Sequence, residues 1–244
     1  MIIGGPIVTS MVRPNWRMRL AERLGARVLV TGLFVLLVAV IISFLILLVR
    51  SKWGPLHRLD FDTAEDLNAY LRRHPGQVHG WKLVSTIGGP SVFRILAALG
   101  VVALLIRRRF RYALFLAAVM IGAAILSGGV KLAVNRARPV LDVPVDRAPG
   151  ASFPSGHSLT SFVAVAAFIL LIRVVASRAV WSVALVVGIV VVVLIGLSRI
   201  ILGVHFVSDV VGGWLIGAAW VAVCSAALKV PSRWSRGPLR RLSA

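Results

Sequence analysis

Long apolar runs alternate with short clusters of basic residues along most of this chain. A helix needs about 20 consecutive, mostly apolar residues to cross the roughly 30 Å hydrocarbon core of a bilayer. Six runs reach that length, at approximately 27–49, 88–106, 112–130, 158–176, 179–198 and 209–228. The pattern therefore predicts an all-α, polytopic membrane protein with six transmembrane helices.

The basic clusters predict which connections face the cytoplasm. They lie before the first run, at 107–111, at 173–178 and after residue 228. Because connections rich in Lys and Arg stay on the cytoplasmic side, we expect both termini in the cytoplasm. The chain then has three parts: a basic cytoplasmic segment at 1–26, a six-helix membrane domain at 27–228 and a basic cytoplasmic tail at 229–244.

The other connections are predicted to be extracytoplasmic. They comprise a long outer loop at about 50–87, a second loop at about 131–157 and a short one at about 199–208. Within the outer loop, the stretch TAEDLNAYLRR predicts a short amphipathic helix lying on the outer surface. Leu67 and Leu71 are four residues apart and share one face of that helix.

Composition supports a membrane protein and argues against two other classes. Of the 244 residues, 59% are hydrophobic, whereas soluble domains are usually about 45–50% apolar. The net charge of +20 is scattered between apolar runs instead of forming one basic face, which argues against a nucleic-acid-binding protein.

Cys224 is the only cysteine, so an intramolecular disulfide is excluded. The first run is longer than the core of a signal peptide, about 7–15 residues, and predicts an uncleaved helix.

Three stretches on the predicted outer side place ionisable residues at the membrane edge. KLAVNRARP ends the third run, PSGH precedes the fourth, and SRIILGVHFVSD joins the fifth to the sixth. Ionisable groups so close to hydrocarbon are costly and mark functional sites. The residues that we single out are Lys131, Arg138, Ser155, Gly156, His157, Arg199, His205 and Asp209.

The cations in these stretches predict a phosphate site. Lys131, Arg138 and Arg199 would repel one another unless a multiply charged anion lay between them, and guanidinium groups match phosphate oxygens. Ser155 and Gly156 stand where a helix begins, so their backbone N–H groups would add donors. Glycine at 156 also permits close approach of the backbone to an anion.

The two histidines and the carboxylate predict the chemistry at that site. His205 and Asp209 are four residues apart, so Asp209 can accept a hydrogen bond from one ring nitrogen and leave the other with a free lone pair. His157 arrives from another stretch and can protonate a departing oxygen. We therefore expect one histidine to attack phosphorus and the other to act as an acid.

Together the three stretches resemble the signature motifs of the type 2 phosphatidic acid phosphatase superfamily. KLAVNRARP matches K-x6-R-P, PSGH is intact, and SRIILGVHFVSD matches S-R-x5-H-x3-D. That superfamily includes membrane lipid phosphatases, prenyl diphosphate phosphatases and soluble vanadium haloperoxidases. Six predicted membrane spans favour a lipid substrate over a peroxidase reaction.

The resemblance implies a role for each motif residue. Lys131, Arg138, Arg199, Ser155 and the Gly156 amide would bind the phosphoryl group. His205 would form a phosphohistidine, Asp209 would orient it, and His157 would act first as the acid and then activate water. The resemblance to the lipid phosphatases of the superfamily implies a reaction without a metal and without another cofactor. The implied substrate is a lipid phosphate or diphosphate in a bacterial cytoplasmic membrane, with the active site facing outward.

Two other functions use the same features. A phosphotransferase would pass the phosphoryl group from His205 to an acceptor other than water. A lipid or anion transporter would favour ionisable groups at several depths or broken helices near the midplane, whereas the charged motif residues here lie at one interface. The motifs select neither the lipid nor the oligomeric state. Arg136 and Asn135 occupy variable positions of the first motif and remain additional candidates near the site.

Overall fold

The structure is a computed structural model that describes residues 16–228, and the side chains within it from residue 25 onward except that of residue 27. The regular secondary structure in this part of the chain is entirely α-helical, without strands. The helices are α1 Trp16–Arg50, α2 Gly54–Arg73, α3 Pro75–Ile87, α4 Pro90–Ile106, α5 Phe110–Val134, α6 Gly156–Val175, α7 Arg178–Ile201 and α8 Val207–Ala227. Most of the predicted basic segment at 1–26 and all of the predicted tail at 229–244 lie outside the described residues or side chains.

Within residues 16–228, six helical segments are long and apolar enough to cross a membrane, which confirms the predicted number of spans. They are Val28–Arg50, Pro75–Ile106, Phe110–Val134, Gly156–Val175, Arg178–Ile201 and Val207–Ala227. Large apolar side chains remain exposed along them, above all on the first segment. Surfaces of this kind suit contact with lipid tails.

The predicted outer loop at about 50–87 is mostly helical, which corrects the sequence interpretation. Helix α2 extends well beyond the predicted short helix, and α3 joins α4 to make the second span begin at Pro75 instead of residue 88. Proline stands in the first turn of α2, α3 and α4, where its fixed φ favours a helix start. The polar residues of this region lower its hydropathy without breaking its helices.

Helix α2 buries a face that is partly polar. Asp60, Ala64, Asn68 and Leu71 are its buried residues, and they recur at helical spacing on one side. The helix packs against α7 and α8. The Asn68 amide donates to the Val143 carbonyl over 2.9 Å, and so α2 also holds the segment that follows α5.

The main core lies between α4, α5, α6, α7 and α8. Fully buried members include Phe115, Leu116, Val119, Leu159 and Val163. Helices α6 and α8 approach closely at Gly213 and Gly217, where a Cβ on Gly213 would lie 2.9 Å from the Ser155 carbonyl oxygen. The G-x-x-x-G spacing of these glycines therefore reflects close helix packing. This contact fixes the start of α6 beside the start of α8.

Candidate active site

The three motif stretches converge at one end of the helix bundle. Helix α5 ends at Val134 and is capped by Asn135, which adopts a left-handed conformation with φ of 44°, and the chain then crosses to the start of α6 at Gly156. Helix α7 ends two residues before Gly203, a tight turn at φ 72° follows, and α8 begins at Val207. The connection between α3 and α4 lies at the same end. Residues far apart in sequence therefore share one polar cluster.

His205 and Asp209 form a buried pair at the start of α8. The His205 Nδ1 atom lies 3.3 Å from Asp209 Oδ2, and the Phe206 N–H donates to the same oxygen over 3.0 Å. His205 is 2% exposed and Asp209 is fully buried. Asp209 thus caps the first turn of α8 while it contacts the imidazole ring, as the i, i+4 spacing predicts.

Arg138 approaches the other nitrogen of the His205 ring. Its Nη1 lies 3.0 Å from His205 Nε2. A guanidinium group can only donate hydrogen bonds, so Nε2 must be the acceptor and Nδ1 carries the ring proton toward Asp209. The reactive lone pair of His205 is therefore on Nε2, on the side of the cations.

Burial keeps the His205 ring neutral. Desolvation lowers the pKa of His205 to about 4, although the hydrogen bond and the negative charge of Asp209 act in the opposite direction. The positive charges of Arg138 and Arg199 lower that pKa further. At neutral pH the imidazole is thus uncharged and able to act as a nucleophile.

Lys131 and Arg138 meet at a short stretch of backbone between α5 and α6. The Lys131 Nζ donates to the Ala151 carbonyl over 2.6 Å. Arg138 donates to the carbonyl of Gly150 over 2.9 Å and to that of Val204 over 2.7 Å. Neutral carbonyl oxygens hold both cations in place without neutralising their positive charge, which suits an anionic ligand.

Arg199 lies deeper, at the end of α7. Its side chain is 7% exposed and one terminal nitrogen donates to the Ser85 hydroxyl. Within residues 16–228, its Nε has no hydrogen-bond partner. A buried donor without a partner is costly, so this N–H suits an anion that enters the cluster.

The start of α6 is arranged differently from the prediction in one respect. The Ser155 hydroxyl caps the helix by accepting from the Ser158 N–H over 3.4 Å, but the Ser155 N–H donates to the Asp209 carbonyl over 3.0 Å. That amide is therefore engaged within the protein in this structure. Gly156 occupies the first position of α6, where backbone amides have no intrahelical partner.

His157 faces the connection between α3 and α4. A Cβ on Gly89 would lie 3.8 Å from the His157 Nε2 and 3.7 Å from the Ser85 carbonyl oxygen. Arg199 and His205 are electrostatic neighbours of the ring. The second histidine is thus on the same cluster, reached from a different helix.

Three residues of the cluster were not identified as site residues from the sequence. Asp60 lies outside the three motif stretches, Ser208 occupies a variable position within the third stretch, and Ser85 belongs to the predicted outer loop. All three are buried. Asp60 pairs with Arg136 over 2.8 Å, and Arg136 pairs with Asp209 over 2.8 Å. The sequence signal that could have identified Asp60 was its spacing with Ala64 and Asn68 on one face of a helix.

Several other histidines, a stacked arginine and the single cysteine lie away from the cluster. His57, His74 and His79 are exposed, and Arg173 stacks over the Trp181 ring at 4.9 Å. Cys224 is buried in the main core. Across residues 16–228, no group of three or more His, Cys, Asp or Glu side chains is placed to hold a metal ion.

Comparisons with known sequences agree with the motifs. The family model of the PAP2 superfamily matches residues 112–231, which contain all three stretches. Phosphatidylglycerophosphatase B of Bacillus subtilis is 38% identical over 87 residues, covering 34% of this chain and 42% of the relative. Undecaprenyl-diphosphatase of Sulfolobus acidocaldarius is 34% identical over 91 residues, 37% of each chain. The matched part therefore spans about two fifths of the length of these curated relatives.

Two solved structures resemble the fold. The transmembrane PAP2-type phosphatidylglycerolphosphate phosphatase from Bacillus subtilis superposes with a TM-score of 0.67, covering 79% of this chain and 97% of the other at 23% identity. Aquifex aeolicus LpxE gives a TM-score of 0.51 over 68% of this chain and 94% of the other, also at 23% identity. At this identity the likeness establishes the shared helical fold.

Proposed function

Because the chain belongs to the PAP2 superfamily, we propose that it is an integral-membrane lipid phosphatase that removes the terminal phosphate of a lipid phosphate or diphosphate. The observation that carries the proposal is the His205 ring. It is buried and neutral, it donates a hydrogen bond from Nδ1–H to Asp209, and its Nε2 lone pair faces the cations. That is the arrangement of an activated nucleophile beside an anion site.

In the first step, His205 Nε2 attacks phosphorus and forms an N–P bond. The bond between phosphorus and the leaving oxygen breaks, and His157 gives that oxygen a proton. For the attack to occur, Arg138 Nη1 must donate its hydrogen bond to a phosphoryl oxygen instead of to His205 Nε2. Lys131, Arg199 and the Gly156 amide stabilise the remaining negative charge.

In the second step, water attacks the phosphohistidine. His157, now neutral, accepts a proton from that water, and the N–P bond breaks to release inorganic phosphate. The electron pair returns to His205 Nε2, so the enzyme regains its starting state. Each step uses side chains of the protein, and we propose that no metal ion takes part.

The proposed orientation follows the distribution of basic residues. The basic clusters at 107–111 and at 173–178 lie at the opposite ends of the helices from the motif residues. The positive-inside rule then puts both termini in the cytoplasm and the site on the outer face of the membrane. A membrane-impermeant maleimide should label a cysteine placed at Arg147 in intact bacterial cells, and should leave one placed at Arg108 unlabelled.

A phosphate-release screen tests the proposed activity. The detergent-purified protein is given phosphatidylglycerophosphate, undecaprenyl diphosphate and phosphatidic acid, each with EDTA present, and His205→Ala is the control. We expect release from at least one lipid by the unaltered protein and none by His205→Ala. Full activity of His205→Ala would refute the mechanism, and loss of all activity with EDTA would refute metal independence.

A further inference from the structure

A chain of buried charged groups connects α2 to the catalytic carboxylate. Arg136 Nη2 lies 2.8 Å from Asp60 Oδ2, and Arg136 Nη1 lies 2.8 Å from Asp209 Oδ1. Both carboxylates are fully buried, and the guanidinium side chain is 13% exposed. One arginine thus bridges a residue of α2 and the residue that contacts the His205 ring.

Ser208 closes this network. Its hydroxyl donates to Asp60 Oδ2 over 2.6 Å and accepts from Arg136 Nη1 over 2.7 Å. Its backbone N–H donates to Asp60 Oδ1 over 3.0 Å. Asp60 therefore holds both the arginine and the first turn of α8, although it is distant in sequence from all three motifs.

The two oxygens of Asp209 have separate partners. Oδ2 accepts from the Phe206 N–H and faces His205 Nδ1, whereas Oδ1 is held by Arg136. The Arg136 guanidinium also stacks on the Phe206 ring at 4.1 Å. Arg136 thus fixes the orientation of the Asp209 carboxylate from the side opposite to His205.

We propose that Asp60 and Arg136 are positioning residues, which hold Asp209 so that it aims His205 Nε2 at the phosphorus atom. The inference rests on the proposed function of that histidine. A planar guanidinium can bridge two carboxylates through separate nitrogens, and a lysine ammonium cannot reproduce that fork. Buried ion networks are costly for stability alone, and this one ends on the carboxylate beside the reactive ring.

Kinetic comparison of four variants tests the proposal. Asp60→Asn preserves the shape of the side chain, and Arg136→Lys preserves the positive charge. Their matched controls are Asp62→Asn, an exposed carboxylate on α2, and Arg147→Lys, an exposed arginine between α5 and α6. Folding of each variant is checked by its monodisperse elution and thermal transition in detergent.

The expected signature is a loss of kcat without a loss of anion binding. Arg136→Lys should lower kcat about 100-fold, the cost of a displacement of about 1 Å at a reacting group. Asp60→Asn should lower kcat about tenfold. In both variants, KM and the inhibition constant of inorganic phosphate should change by less than about threefold. The controls should match the unaltered protein. An unchanged kcat in folded Asp60→Asn, or equal losses in kcat and phosphate binding, would overturn the proposal.

A double variant separates positioning from independent structural effects. If Asp60 acts through Arg136, then adding Asp60→Asn to Arg136→Lys should lower kcat by less than about threefold more, since coupled residues are non-additive. Losses that multiply would show that the two residues act independently, and would also overturn the proposal.

Nuclear magnetic resonance of 15N-labelled histidine provides a readout that needs no turnover. The His205 ring should carry its proton on Nδ1 in the unaltered protein and in Asp62→Asn, and should gain the Nε2–H tautomer in Asp60→Asn. An unchanged tautomer in Asp60→Asn would count against the positioning role even if the lipid screen succeeds. A failed lipid screen with a changed tautomer would instead refute the proposed function and leave the positioning role standing.

Discussion

Arg138 Nη1 donates to His205 Nε2 across 3.0 Å, so a cation and the proposed nucleophile are in direct contact. Arg138 is held at the same time by backbone carbonyls of the α5–α6 connection and of Val204. A phosphoryl group offers the guanidinium stronger, charge-assisted acceptors. Substrate entry would thus free the His205 lone pair and place Arg138 on the phosphoryl oxygens in one movement.

The pH dependence of the reaction should report the burial of His205. The ring is neutral above its pKa, which burial lowers to about 4, so the nucleophile is lost only as the pH falls through that value. We expect kcat/KM, which reports ionisations of the free enzyme, to lack an acid limb near the ordinary histidine value of about 6.5. The measurement is a pH profile of phosphate release, with His57→Gln as an exposed control.

The same profile should respond to Asp209. Its carboxylate raises the pKa of His205, and removing that charge in Asp209→Asn should move the acid limb to still lower pH. The variant should also lose kcat by several orders of magnitude, about 10⁴-fold for the corresponding change in a Ser-His-Asp site. An acid limb centred near 6.5 in the unaltered protein would contradict a buried, neutral His205.

Ser85 should support the deepest cation of the site. Its hydroxyl accepts from Arg199, so Ser85→Ala leaves a buried guanidinium nitrogen without its partner. We expect kcat/KM to fall about tenfold, the cost of one hydrogen bond to a charged group. Thr86→Ala is the matched control, because the Thr86 hydroxyl is exposed and bonds within α3. Equal activity of the two variants would show that Ser85 does not orient Arg199.

His157 should matter most when the leaving group is poor. In His157→Asn the departing oxygen receives no proton from the ring, so hydrolysis of a lipid monophosphate should fall by about 10²–10⁴-fold. With p-nitrophenyl phosphate, whose leaving group needs no proton, the release of nitrophenol in the first turnover, before the phosphohistidine is hydrolysed, should be slowed much less. The check is the ratio of the two rates in the variant and in the unaltered protein. A uniform loss on both substrates would argue against an acid role.

The contact between α6 and α8 should be intolerant of a single methyl group. A Cβ on Gly213 would lie 2.9 Å from the Ser155 carbonyl oxygen and 3.1 Å from the Leu159 backbone nitrogen, and backbone atoms cannot move aside locally. Gly213→Ala should lower the free energy of unfolding by about 1–3 kcal/mol and reduce activity. Gly32→Ala in α1 meets no atom within 4 Å and should be neutral or stabilising by up to about 1 kcal/mol. Thermal unfolding in detergent compares them.

The sequence predicted the parts of the site that are carried by hydropathy and spacing. Apolar runs gave the six spans, and the i, i+4 relation of His205 and Asp209 gave their contact. The role of Asp60 was not predictable in this way, since its burial depends on α2 folding across α7 and α8. The same holds for Ser85, which reaches Arg199 only because α3 continues the outer region as a helix.

Tertiary contacts also determine which acceptor each hydrogen-bond donor binds. Ser155 stands at a helix start, where its amide was expected to be available, but the close approach of α8 gives that amide the Asp209 carbonyl as an acceptor. Arg136 lay at a variable position of its motif, and only the fold shows that it bridges two buried carboxylates. Pairings of this kind depend on how helices pack, which local pattern does not encode.

Trapping of the covalent intermediate tests the central claim most directly. The protein is mixed with a lipid phosphate labelled with 32P at its terminal phosphorus, quenched within one turnover, and digested for peptide mapping. We predict a label that is stable in base, labile in acid and attached to His205, and missing from His205→Ala. A label on another residue, or turnover without any label on His205, would contradict the account.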